Sequence, residues 1–396
     1  MQYRTDPKSG ARLSALGFGC MRFPRGISID AQATEKLILR AIESGVNYFD
    51  TAYVYPGSET ALGEILHKNN ARDKINIATK LPHQQCKSYE DFDRIFNAQK
   101  ERLKTGHIDY YLIHNLSDPR AWQRLASLGI EKWIEAKKSS GEIRNIGFSF
   151  HGAQAGFMEI LDAYDWGFCQ IQYNYMNEHY QAGRAGLEKA YAKGLAVIVM
   201  EPLLGGKLAN GLPKKAEALF NAADPSRTPA AWSLLWLWNQ PAVTVVLSGM
   251  NSMEQLEDNL AAADKSRAGS AAEAELSVIE SAKKVFEEVH RVPCTGCNYC
   301  MPCPHGVNIP GCFSAYNALF STGFVSGMTQ YITGTNLMHP TENSRVTKCV
   351  KCGLCEKKCP QHIHIPKELE AAKKRLEPFW FAAALKLIRA VMGSQR

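Results

Sequence analysis

Four side chains able to move a proton or hold a charge stand at or just beyond the ends of short apolar runs. Asp50 closes residues 46–50 (V-N-Y-F-D), Lys80 closes 75–80 and His114 closes 108–114 (I-D-Y-Y-L-I-H); Tyr55 follows Asp50 across a small-residue turn. Short apolar runs closed by turn residues read as buried strands. If those strands form a parallel barrel, polar residues at their carboxyl ends face the place where barrels do chemistry. Acid, phenol, ammonium and imidazole together suit hydride addition to a carbonyl, which needs a proton donor at the developing alkoxide. A phenol of pKa about 10 is a poor donor in water, but a neighbouring ammonium favours the phenolate and lowers that value. The expectation is that Tyr55 is the general acid, that Lys80 and Asp50 tune it, and that His114 orients the substrate oxygen.

A second set of residues points to different chemistry. Eight of the 12 cysteines lie in two tight runs, each ending in proline. Cys294, Cys297, Cys300 and Cys303 precede Pro304; Cys349, Cys352, Cys355 and Cys359 precede Pro360. In a chain read as carrying no export signal, such runs indicate metal rather than disulfides. The second run has the C-x2-C-x2-C-x3-C-P spacing of a 4Fe–4S ligand set; the first is one residue short before its fourth cysteine. Structural zinc is the competing reading, but zinc requires neither a third closely spaced cysteine nor the proline. In two-cluster modules the fourth cysteine of each run serves the other cluster. That groups Cys294, Cys297, Cys300 and Cys359, and separately Cys349, Cys352, Cys355 and Cys303, with Cys312 as a substitute for Cys303. Cys86 and Cys169 read as packing residues.

The elements that must position these groups form an alternation. Strands are expected at 16–21, 46–50, 75–80, 108–114, 143–149, 168–173, 195–200 and 243–247. Helices are expected at about 30–44, 58–68, 89–105, 122–139, 154–163, 183–192, 229–238 and 252–263, and a Gly/Pro/Lys-rich loop at 201–211. Repeated strand–helix units imply a parallel sheet with right-handed crossovers, and eight of them in about 250 residues suggest a closed (β/α)8 TIM barrel. After strand one, Gly17-Phe18-Gly19 lacks the third glycine of a dinucleotide fingerprint, which argues against an open doubly wound sheet. The expected fold class is therefore α/β, a TIM barrel over 1–268. A mostly helical two-cluster ferredoxin-like module over 269–366 and an amphipathic helix over 367–396 follow it.

Along residues 3–265 the chain resembles the aldo-keto reductase family. The matching pieces include L-G-F-G-C-M-R (16–22), D-T-A-Y-V-Y (50–55), A-T-K (78–80), Y-L-I-H (111–114), I-R-N-I-G-F-S (143–149), Q-I-Q-Y-N (170–174) and E-P-L-L-G-G-K-L (201–208). The resemblance implies that Asp50, Tyr55, Lys80 and His114 are the family's catalytic tetrad, and that NADPH or NADH lies extended over the barrel mouth. It places Gly19, Cys20, Asp50, Ser149 and Gln172 near the nicotinamide. Leu203, Gly205, Lys207, Gly249, Met250, Gln255 and Asn259 would lie along the pyrophosphate and adenosine. Two departures from the family pattern involve three positions. Met200 stands where an aromatic residue stacks on the nicotinamide. Gly249 and Gln255 stand where basic residues grip the 2′-phosphate, which weakens the case for NADPH over NADH.

Nicotinamide delivers two electrons as hydride, whereas an iron–sulfur cluster accepts one at a time. A flavin would bridge the two regimes, and Met200 marks where room for it would be found. The leading expectation is an NAD(P)H-dependent carbonyl/alcohol oxidoreductase, acting on a small molecule and coupled to or stabilised by its clusters. The alternative is a redox-sensing or electron-transfer protein, whose barrel binds nicotinamide or flavin while the clusters exchange electrons with a partner protein.

Charge fits this picture. The net charge is +7, and residues 291–396 hold 13 Lys and Arg against 5 Asp and Glu, whereas the first 290 hold 33 against 34. Metal-bound cysteines are deprotonated, which offsets the basic tail, so it is read as cluster-binding rather than nucleic-acid-binding. With no signal peptide and no long uninterrupted apolar run read from the sequence, a cytoplasmic location is expected. The apolar final helix is expected to dock on protein rather than on a membrane.

Overall fold

The computed structural model describes residues 1–265, 267–321, 323–337, 343–379, 381 and 385. The chain divides into two compact units, one of residues 1–203 and 230–276, the other of 204–229 and 277–396.

The first unit opens with an antiparallel hairpin, β1 (Tyr3–Thr5) and β2 (Arg12–Ser14), and β3 (Leu16–Gly19) follows at once. Then come α1 (Ala31–Glu43), β4 (Tyr48–Asp50), α2 (Ser58–Lys68), β5 (Asn76–Leu81), α3 (Glu90–Leu103) and β6 (Ile108–Leu116). Next are α4 (Pro119–Ser127), α5 (Ile130–Ser139), β7 (Ile143–Phe150), α6 (Gln154–Ala163), β8 (Phe168–Gln172), α7 (Gly183–Ala192) and β9 (Ala196–Met200). After α8 (Lys214–Ala223) and α9 (Pro229–Trp238), β10 (Val245–Ser248) and α10 (Met253–Lys265) complete the series. Strands β3 to β10 close into an eight-stranded parallel barrel in which β10 pairs with β3.

Alternate residues of each barrel strand point inward. Tyr48, Tyr110 and Phe168 fill the inside with tilted or edge-on rings 5.0–5.2 Å apart. Gly147 makes this fit, because a Cβ there would lie 2.7 Å from the Phe168 ring. The hairpin belongs to the amino-terminal mouth: Leu13 packs with Tyr48 and Tyr110, and Asn47, just ahead of β4, exchanges hydrogen bonds with Ser14. The opposite, carboxyl-terminal mouth carries the polar strand ends. A larger apolar layer between strands and helices holds the barrel together; α1, for example, buries Leu37, Ile38 and Ala41 and is capped by Asp30, which accepts from Ala33 N at 3.0 Å.

The structure modifies several expected elements. The run 16–21 stops extending at Gly19, and Cys20–Arg22 is a 3-10 turn. The helix expected over 122–139 is two, because Gly129 sits at φ +87° between α4 and α5. Helix α8 forms in the stretch read as loop and connector, and that stretch, 204–229, belongs to the second unit.

The second unit also contains the later part of α11 (Glu273–Val289), then α12 (Ile309–Ser321), α13 (Phe324–Gly334) and α14 (Ile365–Leu376). Its core joins Val292, Phe313, Tyr331, Val346, Leu369 and Leu376. Asn317 of α12 anchors the chain entering the first cysteine run, accepting from the amides of Arg291 and Val292 and donating to Val292 O at 2.7 Å. Buried Glu377 closes α14 against Tyr331 and Arg345. Helix α14 ends at Leu376, and Phe381 and Leu385 are again helical; residues 380, 382–384 and 386–396 of the helix expected over 367–396 lie outside the described residues.

Candidate active site and cluster sites

Asp50 is the last residue of β4 and Lys80 the last inward residue of β5. Both are buried, and Lys80 Nζ donates to Asp50 Oδ1 at 2.6 Å and to Thr51 O at 2.7 Å. Tyr55 lies half-buried in the turn between β4 and α2, with Lys80 Nζ 5.2 Å from its ring centroid. The His114 ring meets Tyr55 edge-on, centroids 6.1 Å apart. The four side chains are thus brought together at one rim.

The loop bearing Tyr55 is fixed from below. Ser58 Oγ donates to Cys20 O at 3.0 Å and lies 2.8 Å from Thr51 Oγ1. Behind the strands, buried Glu59 accepts from Thr79 Oγ1 at 2.6 Å, from Gln99 Nε2 at 2.8 Å and from Arg102 Nη1 at 3.1 Å. Gln99 Nε2 also donates to Lys80 O at 3.1 Å, and its Oε1 accepts from Tyr111 OH at 2.7 Å. This network ties α2, α3, β5 and β6 together directly behind Lys80. It escapes sequence reading because its members are far apart in the chain.

Burial pushes the Asp50 carboxyl above its usual range, and Lys80 opposes the shift. His114 is held well below the ordinary imidazole value by burial and by Lys80, His151 and His83 nearby. It is therefore neutral near pH 7 and able to donate one hydrogen bond. His83 is lowered to about 4, mainly by burial and then by Arg124. His151 Nδ1 sits 3.1 Å from Gln181 Oε1. Neither His83 nor His151 was singled out from sequence. The signal for His151 was present, since it continues the inward parity of Ser149 by two residues.

Of the residues that the family resemblance assigns to cofactor, Gly19, Asp50, Gln172 and Met200 end barrel strands, Cys20 stands one residue beyond β3 and Ser149 one residue before the end of β7. Ser149 Oγ accepts from Asn115 N at 2.8 Å. Among the described residues, the buried Gln172 side chain has no hydrogen-bond partner at either amide atom, and Asp50 Oδ2 likewise has none. Buried polar atoms without partners are costly, so this rim suits a ligand carrying both donors and acceptors, as a carboxamide does. Met200 Sδ lies 3.5 Å from Gln170 Nε2. Gly249 packs beside Arg22, Asn259 Nδ2 donates to Ser248 Oγ at 2.7 Å, and Gln255 Oε1 accepts from Asn251 N at 3.0 Å. Leu203 and Met250 also belong to the barrel unit. Gly205 and Lys207 belong to the other. There Gly205, at φ +70°, presses on Thr295 O, and half-buried Lys207 has its ammonium lowered by desolvation and raised by nearby Cys294.

In the second unit, Cys294, Cys297, Cys300 and Cys359 line one cavity, and Cys303, Cys349, Cys352 and Cys355 line another. Each fourth cysteine has crossed to the other run's site. Cys312 is buried in α12 and lines neither. Among the described residues no three His, Cys, Asp or Glu side chains are placed to hold a single ion; each quartet rings a cavity instead, with the donor set of a 4Fe–4S cluster.

The aldo/keto reductase family profile matches residues 15–270, and the 4Fe-4S dicluster domain profile matches residues 293–365. The chain belongs to the aldo/keto reductase family. Its family is one of oxidoreductases, and this member carries a 4Fe–4S domain after the barrel. It is 28% identical over 283 residues to 6-dehydroglucose reductase of Novosphingobium aromaticivorans, covering 65% of this chain and 88% of the relative. It is 26% identical over 311 residues to L-glyceraldehyde 3-phosphate reductase of Escherichia coli K12, covering 66% and 87%. The fold is shared with the holo form of aldo-keto reductase AKR11C1 from Bacillus halodurans, at TM-score 0.59 and 23% identity, covering 71% of this chain and 96% of that one. No helix among the described residues is long and apolar enough to cross a membrane.

Proposed function

We propose that this aldo-keto reductase interconverts a small-molecule carbonyl and alcohol with NADPH or NADH, using Tyr55 as proton donor, and that two 4Fe–4S clusters exchange electrons with a redox partner. The observation that carries the first part is Lys80 bridging Asp50 and the Thr51 carbonyl beneath the Tyr55 ring. An ammonium held there favours the phenolate and makes the phenol a better acid. Asp50, Ser149 and Gln172, with Gly19, Cys20 and Met200, would hold the nicotinamide end; Leu203, Gly249, Met250, Gln255 and Asn259 would hold the rest. Bound nicotinamide supplies the hydride. Tyr55 Oη gives its proton to the oxygen of the reduced carbonyl, while neutral His114 donates a hydrogen bond to that oxygen and orients it. Relatives named for reducing 6-dehydroglucose and L-glyceraldehyde 3-phosphate support a small hydroxylated carbonyl compound as substrate.

The second part rests on the two cysteine quartets and their crossed membership. The flavin considered from Met200 has no support among the relatives, and Met200 Sδ lies 3.5 Å from Gln170 Nε2. Tyr55→Phe tests the first part: NAD(P)H-dependent carbonyl reduction should fall at least 100-fold, the scale of a lost general acid, with cofactor binding nearly intact by fluorescence titration. Unchanged turnover would remove Tyr55 from the mechanism, and with it the main argument for an enzyme over a redox sensor.

A further inference from the structure

Cys352 is the only one of the eight run cysteines whose residue is exposed; the others are buried or half-buried. It sits in a short loop that presents Val350 and Leu354 to solvent, at 59% and 48% exposure. Lys351, Lys357 and Lys358 of the same loop are also exposed. Small apolar areas ringed by charge are the form of surface that transient one-electron partners use. The loop is held by Glu356 N donating to Gly353 O at 3.1 Å, Lys358 N to Cys355 O at 3.2 Å and Cys359 N to Glu356 O at 3.1 Å.

The basic field extends to α14. Lys351 Nζ bonds Glu370 Oε2 at 2.8 Å, fixing the loop to the helix, and Lys351, Glu370, Lys373 and Lys374 line one groove with Cys349. Lys367, Lys373, Lys374 and Arg375 are exposed along this helix. From 348 to 375 the sequence carries Lys348, Lys351, Lys357, Lys358, Lys367, Lys373, Lys374 and Arg375 against Glu356, Glu368 and Glu370. A cluster with four thiolates carries a charge of only about −2, so the surface stays positive around it.

We propose that this face, centred on Cys352, is the docking surface for an acidic one-electron carrier protein, and that electrons enter or leave the chain through the second cysteine quartet. The proposal rests on the two-cluster reading above and names its partner. In each encounter the carrier is oxidised by one electron and the cluster reduced by one, or the reverse, and no proton or leaving group is involved. Charge complementarity commits the surface to an acidic carrier, since a basic one would meet the lysines across the apolar centre.

The test uses the full chain purified anaerobically. Iron and acid-labile sulfide near eight each per chain, measured on the same sample, establish the clusters independently of docking; a lower content refutes the two-cluster reading itself. The probe is a reduced, acidic plant-type 2Fe–2S ferredoxin, with cluster bleaching followed by stopped flow. The small cation methyl viologen, reduced, is the control donor. We expect the ferredoxin rate to fall steeply with ionic strength, and Lys357→Glu with Lys358→Glu to lower it about tenfold or more at low salt. Viologen reduction and iron content should stay unchanged. Lys373→Glu with Lys374→Glu should lower the ferredoxin rate in the same way. Calorimetric binding of the oxidised ferredoxin should weaken in parallel, which keeps the test decisive where the potentials forbid transfer. Equal rates and affinities in wild type and both charge-reversed variants, or a rate indifferent to salt, would overturn the proposal.

Discussion

Lys80 is worth most attention at the scale of single residues, because it serves two purposes with one charge. It pairs with a carboxylate that burial alone would protonate, and it lies beneath the phenol proposed as the proton donor. Removing one partner of a buried pair leaves the other uncompensated, at a cost of about 3–5 kcal/mol, whereas removing both is often tolerated. Lys80→Met should therefore lower both turnover and melting temperature. Adding Asp50→Asn should restore most of the melting temperature and none of the turnover. Thermal denaturation beside a steady-state assay checks this; equal stability loss in the single and double variants would mean that the pair is not coupled. The identities of these residues were readable from the ends of apolar runs. His151 was marked only by continuing the inward parity of Ser149, and His83 by nothing local, because what makes it relevant is its approach to His114 across the barrel mouth.

At the scale of elements, the barrel strands were legible and their connections less so. A strand buried on both faces must be apolar along its length, so its last inward polar residue stands out, as Asp50, Lys80 and His114 do. Gly129 and helices α8 and α13 were missed, since a single glycine leaves little trace in composition and both helices lie in connecting stretches outside the strand–helix alternation. The crossed cysteines give the sharpest expectation here. Cys359 belongs by sequence to the second run but lines the cavity of the first. Cys359→Ala should leave the same surviving cluster as Cys294→Ala, and a different one from Cys349→Ala. Electron paramagnetic resonance of the three reduced variants would show it, and a Cys359→Ala spectrum matching that of Cys349→Ala would refute the assignment.

For the whole molecule, buried neutral histidines set an acid limit on stability. His83 is 7% exposed, with its folded value depressed to about 4 against 6.5 for a free imidazole. Above pH 6.5 both states are neutral and nothing is lost. Below it the unfolded chain gains a proton that the folded chain refuses, so stability falls with pH until the folded group also titrates near 4. The cost attributable to His83 is about 2 kcal/mol at pH 5 and approaches about 3 kcal/mol below pH 4. Denaturant unfolding of wild type and His83→Gln at pH 8 and pH 5 measures it: the variant should lose less stability between the two. Parallel curves would show that His83 does not contribute.

The amino-acid sequence by itself determined the barrel count, the strand-end residues, the family and the cysteine runs, because each is written in short-range periodicity or fixed spacing. The tertiary structure alone decided three other matters. It closed β10 onto β3 and so gathered the strand ends into one rim. It built the Glu59–Gln99 support behind Lys80 from residues tens of positions apart. It also assigned the stretch 204–229, with Gly205 and Lys207, to the unit that holds the cysteines. All three depend on contacts between distant segments, which packing selects and local sequence does not encode.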